Sequence, residues 1–184
     1  MRLSEDERRG EIERERKEKD DHFRHAVDSP IPSQAREAFA GLNYYPVDAK
    51  YRLAVQLKEY PSPETIFMGT TRGGRQEYVR VGFFEFPLDG RLHRLQIYKS
   101  GPSNPFPSES FFISFRDRTS GVETYGAGRY LEIPVSRSGA YELDFNKAHN
   151  PLCAYSDNFS CPIAPKENWL DVEIRAGEKV YRQH

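Results

Sequence analysis

The sequence has few cysteines, no long apolar run and no excess of either charge, and each shortage excludes a class of protein. Two cysteines among 184 residues are too few for a disulfide-rich secreted scaffold. The apolar runs are far shorter than the roughly 20 residues of a transmembrane helix, and the first 25 residues, almost continuously charged, have no apolar signal segment. With 27 basic and 28 acidic residues, the net charge of −1 argues against a polyanion-binding protein. We therefore expect a cytoplasmic protein that binds neither nucleic acid nor membrane.

The sequence does contain a highly charged start followed by an aromatic-rich remainder. Residues 1–25 carry eight basic and nine acidic groups, and Ser4 with Glu7 forms a capping-box pattern that predicts the start of a helix. A helix that is polar on all sides has little apolar surface to bury, so we expect a solvated or frayed arm that is anchored near Phe23 and dispensable for folding. A partner-binding arm is the alternative. Residues 26–184 are then a single β-rich domain.

Alternation of apolar and polar residues predicts about nine short strands after residue 50. They are 51–57, 66–70, 77–86, 91–98, 111–115, 122–125, 129–135, 141–145 and 170–175. The sequence Leu88-Asp89-Gly90 indicates a hairpin turn, and a short helix is predicted to begin at Ser33. A spacing of roughly ten residues without intervening helices is typical of an antiparallel barrel or sandwich. The expected fold is therefore mainly β, with a charged N-terminal helix and one short helix.

Five segments carry a family resemblance, and they occur in the expected order along the chain. They are SPIPSQAREAFAGLNYYPVDAKYRL at 29–53, VGFFEFPLDG at 81–90, FFISFRDRTSGVETYGAGRYL at 111–131, DFNKAHNPLCAY at 144–155 and CPIAPKENWLDVEIRAGEK at 161–179. Together they resemble a bacterial and archaeal family catalogued as domain of unknown function 1684. The resemblance implies where a site would lie and does not imply its chemistry. The chain departs from the usual family pattern in having His149 for Tyr, and Leu152 and Ala164 for Pro.

Short polar side chains concentrate at three predicted strand ends within these segments. They surround the turn at Asp117, the glycine-flanked start of the strand at Arg129, and the loop after Asp144. We expect these three places to meet in one pocket, because a rigid sheet presents functional groups on the loops at its strand ends. Arg129 would anchor a carboxylate or phosphate through its forked donors, or instead point inward and pair with Asp117 or Asp144. The candidate ligand-binding residues are Asp117, Thr119, Tyr125, Arg129, Asp144, Asn146, His149 and Asn150.

The cysteines are predicted to be free thiols, either both buried or one of them reactive. Cys153 and Cys161, with His149, match no standard spacing of zinc ligands, so we expect no metal and no cofactor. A disulfide that closes the loop between them is the alternative, but the expected compartment disfavours it. The patterns of P-loop proteins, nucleophile-elbow hydrolases and zinc proteases are absent from the sequence.

These features are compatible with three kinds of function. A small barrel or sandwich can bind one small molecule, here an anionic one, in an aromatic pocket with a few polar anchors. A hydrolase-like enzyme would use Asp117 or Asp144 together with His149 or Cys153. A structural or interaction protein would need neither. We favour the binding module because no nucleophile-plus-base pattern is recognisable. The sequence does not determine the oligomeric state, and a homo-oligomer is one possibility.

Overall fold

Six antiparallel strands form the framework, and they curl into a near-closed barrel in the computed structural model, which describes residues 4–103 and 109–181. The strands are β1 (Arg52–Gly69), β2 (Arg75–Leu88), β3 (Arg91–Ser100), β4 (Ser110–Phe115), β5 (Arg129–Pro134) and β6 (Ala140–Asp144). Their order across the sheet is β5-β4-β3-β2-β1-β6. The helices are α1 (Glu5–His25) and the single turn α2 (Ser33–Arg36). Short 3₁₀ turns cover Ala49–Tyr51, Phe145–Lys147, Leu152–Ala154 and Lys166–Asn168.

The mainly β fold is confirmed, but the strands are fewer and longer than predicted. The expected strands 51–57 and 66–70 are two parts of β1, whose pairing with β2 is interrupted between Glu59 and Glu64. Pro61 and Pro63 lie in that interruption. Because proline has no N–H to donate to a sheet, the sequence suggests the boundary between two strands at this point. The predicted hairpin at Asp89 and Gly90 is confirmed. Both residues have positive φ, as the two-residue turn between twisted strands requires.

Two predicted strands are wrong. Residues 122–125 form a turn, and residues 170–175 are extended without belonging to a sheet. The alternation that predicted the second one is nevertheless present as burial, because Leu170, Val172, Ile174 and Ala176 enter the core while the residues between them are exposed. A period of two therefore identified an extended, half-buried segment but not its hydrogen-bond partners.

The barrel interior is filled by apolar side chains, and its seam is closed by backbone. The fully buried members of the main core are Phe84, Phe86, Leu95, Ile97, Ile113, Phe115, Leu143, Phe145, Ile174 and Ala176. At the seam, the N–H of Tyr130 in β5 donates to the carbonyl of His149 at 2.8 Å, and the N–H of His149 donates back at 3.0 Å. Because the interior is packed, any sizeable cavity has to lie outside the barrel.

The charged helix α1 is anchored near Phe23 as expected, and most of its residues are exposed, but it is continuous from Glu5 to His25 and is not frayed. The capping box is confirmed, because Ser4 and Glu7 bond each other's backbone N–H groups. Ile12 and Phe23 are buried, and the Arg16 guanidinium donates to the carbonyls of Tyr45 and Asn146. Charged side chains that satisfy buried carbonyls thus hold a helix with few apolar residues. No helix of the described residues combines the length and the apolarity that a membrane span requires.

Candidate functional site

Arg129 lies at the centre of a buried network that ties the C-terminal segment to the barrel. Its guanidinium donates to the carbonyls of Ile174 at 2.8 Å and Glu178 at 3.2 Å, and also to that of Ala176. It donates to the Asp117 carboxylate at 2.6 Å, and both side chains of this ion pair are completely buried. The geometry therefore agrees with the inward-pointing alternative, in which Arg129 pairs with Asp117.

The local sequence explains how this arginine is placed. Gly128 has a φ of 108°, and a Cβ at that position would lie 2.6 Å from the carbonyl oxygen of Phe115. Only glycine allows the chain to turn there and direct the next residue inward. Asp117 is fixed in its own turn, because its Oδ1 accepts hydrogen bonds from the N–H of Thr119 at 2.6 Å and from its hydroxyl.

Asp144 and Asn146 form a separate group at the end of β6. The Asp144 carboxylate accepts hydrogen bonds from the backbone and side-chain amides of Asn146, at 2.9 and 2.8 Å. Asn146 also bonds both backbone groups of Asp48. Within the described part of the chain, no hydrogen bond or ion pair joins this group to Arg129 and Asp117. The structure thus brings Asp117, Thr119 and Arg129 together and places Asp144 and Asn146 elsewhere.

A cavity of about 600 Å³ lies between α1 and the outer face of the barrel, and it includes two of the predicted residues, His149 and Asn150. Aromatic side chains from β2, β4 and β5 supply much of its wall. The residues that line it are Lys19, Phe23, Gln76, Tyr78, Ser100, Ser110, Phe111, Phe112, Tyr130, Glu132, His149, Asn150, Pro151, Leu152, Tyr155, Cys161 and Pro162. Its wall therefore combines aromatic rings with a few polar groups.

His149 and Asn150 line this cavity because His149 pairs with Tyr130 at the seam and Asn150 comes directly after it. The His149 ring lies edge-on to Tyr130 at a centroid distance of 6.1 Å. Burial lowers the pKa of the imidazole below its usual 6.5, and the nearby positive charge of Lys19 lowers it further, so the ring is neutral at physiological pH. Asn150 is 2% exposed, and its Oδ1 has no hydrogen-bond partner among the described residues.

Glu178 is a central residue that the sequence reasoning missed. Its side chain is 1% exposed, and it accepts hydrogen bonds from Lys19 Nζ at 2.5 Å, from the Asn150 N–H at 2.9 Å and from the Tyr155 hydroxyl. A signal was present, since Glu178 continues the buried register of 170, 172, 174 and 176. The carboxylate links α1 to the wall of the cavity.

The fold and this arrangement can be compared with known proteins. Residues 37–179 match the family described as "Protein of unknown function (DUF1684)". The chain belongs to this family. It is also similar to the uncharacterised protein from gene locus rrnAC0354 of Haloarcula marismortui, whose solution NMR structure has a TM-score of 0.71 and 35% sequence identity over 95% of both chains. No curated protein matches the chain in sequence. The resemblance to domain of unknown function 1684 is thus confirmed.

The two cysteines of this family member lie beside each other, and Cys161 lines the cavity. Both are free thiols, and the N–H of Cys153 donates to Cys161 Sγ at 3.3 Å. The hydroxyl of Tyr125, another candidate residue, lies 3.5 Å from Cys153 Sγ. No group of three or more His, Cys, Asp or Glu side chains within residues 4–103 and 109–181 is placed to hold a metal ion.

Proposed function

We propose that this protein binds a small, flat, largely apolar molecule in the cavity between α1 and the barrel. The observation that carries the proposal is the buried amide oxygen of Asn150, which has no partner within the described residues. Leaving such an acceptor unpaired costs about 1–3 kcal/mol. A ligand that carries an N–H or O–H group removes that cost, whereas a purely apolar molecule does not.

The orientation of the Asn150 amide is fixed by its other contacts. Its Nδ2 group donates to the carbonyl of Lys179 at 2.9 Å, and its backbone N–H donates to Glu178. Turning the amide over would place Oδ1 against the carbonyl oxygen of Lys179, and two acceptors repel each other. Oδ1 therefore stays on the other side of the amide, where the described part of the chain supplies no donor. Asn150 lines the cavity, so a ligand there with a matching donor would pair with this oxygen, which the wall of the cavity covers in this structure.

The rest of the wall supports an aromatic or otherwise planar ligand. Tyr78 and Phe112 are stacked at a centroid distance of 5.1 Å, and Phe112 lies edge-on to Tyr130 at 4.8 Å. Rings held in this way offer flat surfaces on which another ring can stack. The hydroxyls of Tyr78 and Tyr130 already donate to Gln76 and to the Pro162 carbonyl, so these side chains present mainly their apolar surfaces.

An acidic group on the ligand would be held by Lys19, because Arg129 is enclosed. Lys19 supplies the positive charge of the lining, and one of its three donors is used by Glu178. The proposal of an anionic ligand therefore depends on Lys19 and not on Arg129. The hydrolase-like alternative has less support, since Asp117 and Asp144 are engaged in separate networks and neither lines the cavity with His149.

Titration with N-phenyl-1-naphthylamine, a planar fluorescent amine with one N–H donor, tests the proposal. Leu152, at the rim of the cavity and 44% exposed, is replaced by Trp to narrow the opening. Leu92, which is 69% exposed on β3 and does not line the cavity, is replaced by Trp as the control. We expect Leu152→Trp to weaken probe binding about tenfold, the equivalent of about 1.4 kcal/mol, and Leu92→Trp to leave it unchanged. Equal affinity in both variants, or no saturable binding to the unmodified protein, would contradict the proposal.

Two related probes test the chemistry of the site. Methylation of the probe nitrogen removes the donor for Asn150, and we expect a loss of about fivefold, equivalent to about 1 kcal/mol for one hydrogen bond. The sulfonated analogue 8-anilinonaphthalene-1-sulfonate keeps the N–H and adds an anion. It should bind more tightly than the neutral amine if Lys19 accepts an acidic group, and this advantage should disappear in Lys19→Met. Both probes are followed by direct excitation, so that the introduced tryptophans do not contribute.

A further inference from the structure

Cys153 and Cys161 each line a different cavity. Cys153 belongs to the 3₁₀ turn Leu152–Ala154, is half-buried, and lines a second cavity of about 500 Å³. Cys161 is 7% exposed and lines the 600 Å³ cavity. A small reagent can therefore reach Cys153 from this second cavity, and Cys161 is the less exposed of the two cysteines.

The contacts around the pair hold the two sulfur atoms together. Cys161 is fixed to the loop after β1, because its N–H donates to Thr71 Oγ1 at 3.2 Å and its carbonyl accepts from the Thr71 N–H at 3.0 Å. Cys153 is positioned over it by the bond from its own N–H to Cys161 Sγ and by the Tyr125 hydroxyl. The sequence separation is short, so a bond between the thiols would require only local adjustment of the chain.

The two thiols differ in their ionisation. Hydrogen bonding by the Cys161 thiol, together with that of Tyr125 and Thr71, lowers the pKa of Cys153 to about 6, although burial opposes the shift. The same interaction and burial raise the pKa of Cys161. Cys153 is therefore the more readily ionised of the two thiols. This is the asymmetry of a nucleophilic and a resolving cysteine.

We propose that Cys153 and Cys161 form a redox-active pair, in which a hydroperoxide oxidises Cys153 and Cys161 then closes a disulfide. In the first step the Cys153 sulfur attacks the terminal peroxide oxygen. The S–O bond forms and the O–O bond breaks, and the other oxygen leaves as an alkoxide, or as hydroxide from hydrogen peroxide. It takes up the proton that Cys153 released on ionising and becomes an alcohol or water. In the second step the Cys161 sulfur attacks the sulfenic sulfur of Cys153, the S–S bond forms and the S–O bond breaks. The released hydroxide takes the Cys161 proton and leaves as water. Two thiols thus lose two electrons and two protons, and the hydroperoxide gains them.

The test treats the reduced full-length protein, freed of reductant, with about one equivalent of hydrogen peroxide. Because the chain has two cysteines, intact-mass analysis gives an unambiguous result. We expect a monomer that has lost two hydrogens, resists alkylation by N-ethylmaleimide after denaturation, and regains both reactive thiols on treatment with dithiothreitol. Two alkylatable cysteines after peroxide, a gain of oxygen atoms without disulfide formation, or a disulfide-linked dimer would each overturn the proposal. This measurement does not depend on any variant folding.

Two serine variants establish which cysteine reacts first. With dimedone present during oxidation, Cys161→Ser should accumulate a dimedone adduct on Cys153, because the sulfenic acid has no resolving thiol. Cys153→Ser should give no adduct on Cys161. An adduct on Cys161 in the second variant would contradict the assigned order of the two residues. None of these readouts involves ligand binding, so the result is independent of the proposed function.

Discussion

Replacing Arg129 by Met should strongly destabilise the protein, because the side chain connects distant parts of the fold. The substitution keeps much of the apolar stem and removes the guanidinium. It leaves the buried Asp117 carboxylate without its counter-charge and takes the donor away from the carbonyls of Ile174, Ala176 and Glu178. We therefore expect the segment that ends at Glu178 to lose its attachment to the barrel.

The magnitude follows from these contacts. Removing one partner of a buried ion pair costs about 3–5 kcal/mol, and each buried carbonyl left unpaired adds about 1 kcal/mol. Some of this cost is relieved when water reaches the loosened segment, so we expect a loss of about 5 kcal/mol. That is close to the whole stability of a marginal domain, about 5–15 kcal/mol. Arg129→Lys keeps the charge but not the planar fork, and its loss should be smaller, about 2–3 kcal/mol.

Urea unfolding followed by circular dichroism measures these differences, with Arg118→Met as the control. Arg118 directly follows Asp117 in the sequence, but it and its partner Asp171 are both exposed. Exposed ion pairs contribute about 0–1 kcal/mol to stability. If Arg129→Met is no less stable than Arg118→Met, the reasoning about the buried network is wrong. If Arg129→Met is stable but no longer binds the naphthylamine probe, Arg129 acts as a ligand anchor and not as a structural residue.

Two further predictions concern charge. His149→Phe should reduce the loss of folding stability that occurs when the pH is lowered. The pKa of His149 is lower in the folded protein than in the unfolded chain. Below about pH 6.5 the unfolded chain therefore takes up the proton first, and stability is lost as the pH decreases. Urea midpoints at about pH 5 and pH 7.5 measure this, and an unchanged difference between them would contradict it. Lys19→Met should cost about 2 kcal/mol, because it deprives the buried Glu178 carboxylate of its cation. The same measurement on Lys147→Met, which breaks an exposed pair between α1 and the barrel, should show a loss below about 1 kcal/mol, and equal losses would argue against a special role for Lys19.

Much of the fold could be predicted from the sequence, because burial follows the apolar pattern. The alternation in 91–98 and the turn at Asp89 and Gly90 correspond to observed elements. The same rule failed at 170–175, since an extended segment shows a period of two whether its carbonyls are bonded by a neighbouring strand or by Arg129. Pattern identifies the buried face, and only the tertiary structure supplies the partner.

The site was less predictable for a similar reason. Residue types marked Asp117 as one of two possible partners of Arg129, with Asp144 as the other, and His149 and Asn150 belong to the cavity, but the sequence could not separate these two groups. The contribution of α1 was missed because a count of apolar residues ignores what charged side chains do. Lys19 is half of a buried contact, although nothing in its neighbourhood along the chain distinguishes it from Lys17, the other lysine of α1.

The attachment of the extended C-terminal segment through Arg129 has a consequence for synthesis on the ribosome. The carbonyls that Arg129 bonds lie 45 to 49 residues downstream of it, so the six strands are complete before the segment that seals them emerges. Until then Arg129 and Asp117 are not fully buried, and the apolar side chains that Ile174 and Ala176 later cover are exposed to solvent. Contacts between such distant residues form late and slowly, and exposed apolar surface in a nascent chain favours aggregation. A nascent chain that has emerged from the ribosome only as far as residue 173 should therefore bind chaperones more strongly than one in which residue 178 has also emerged.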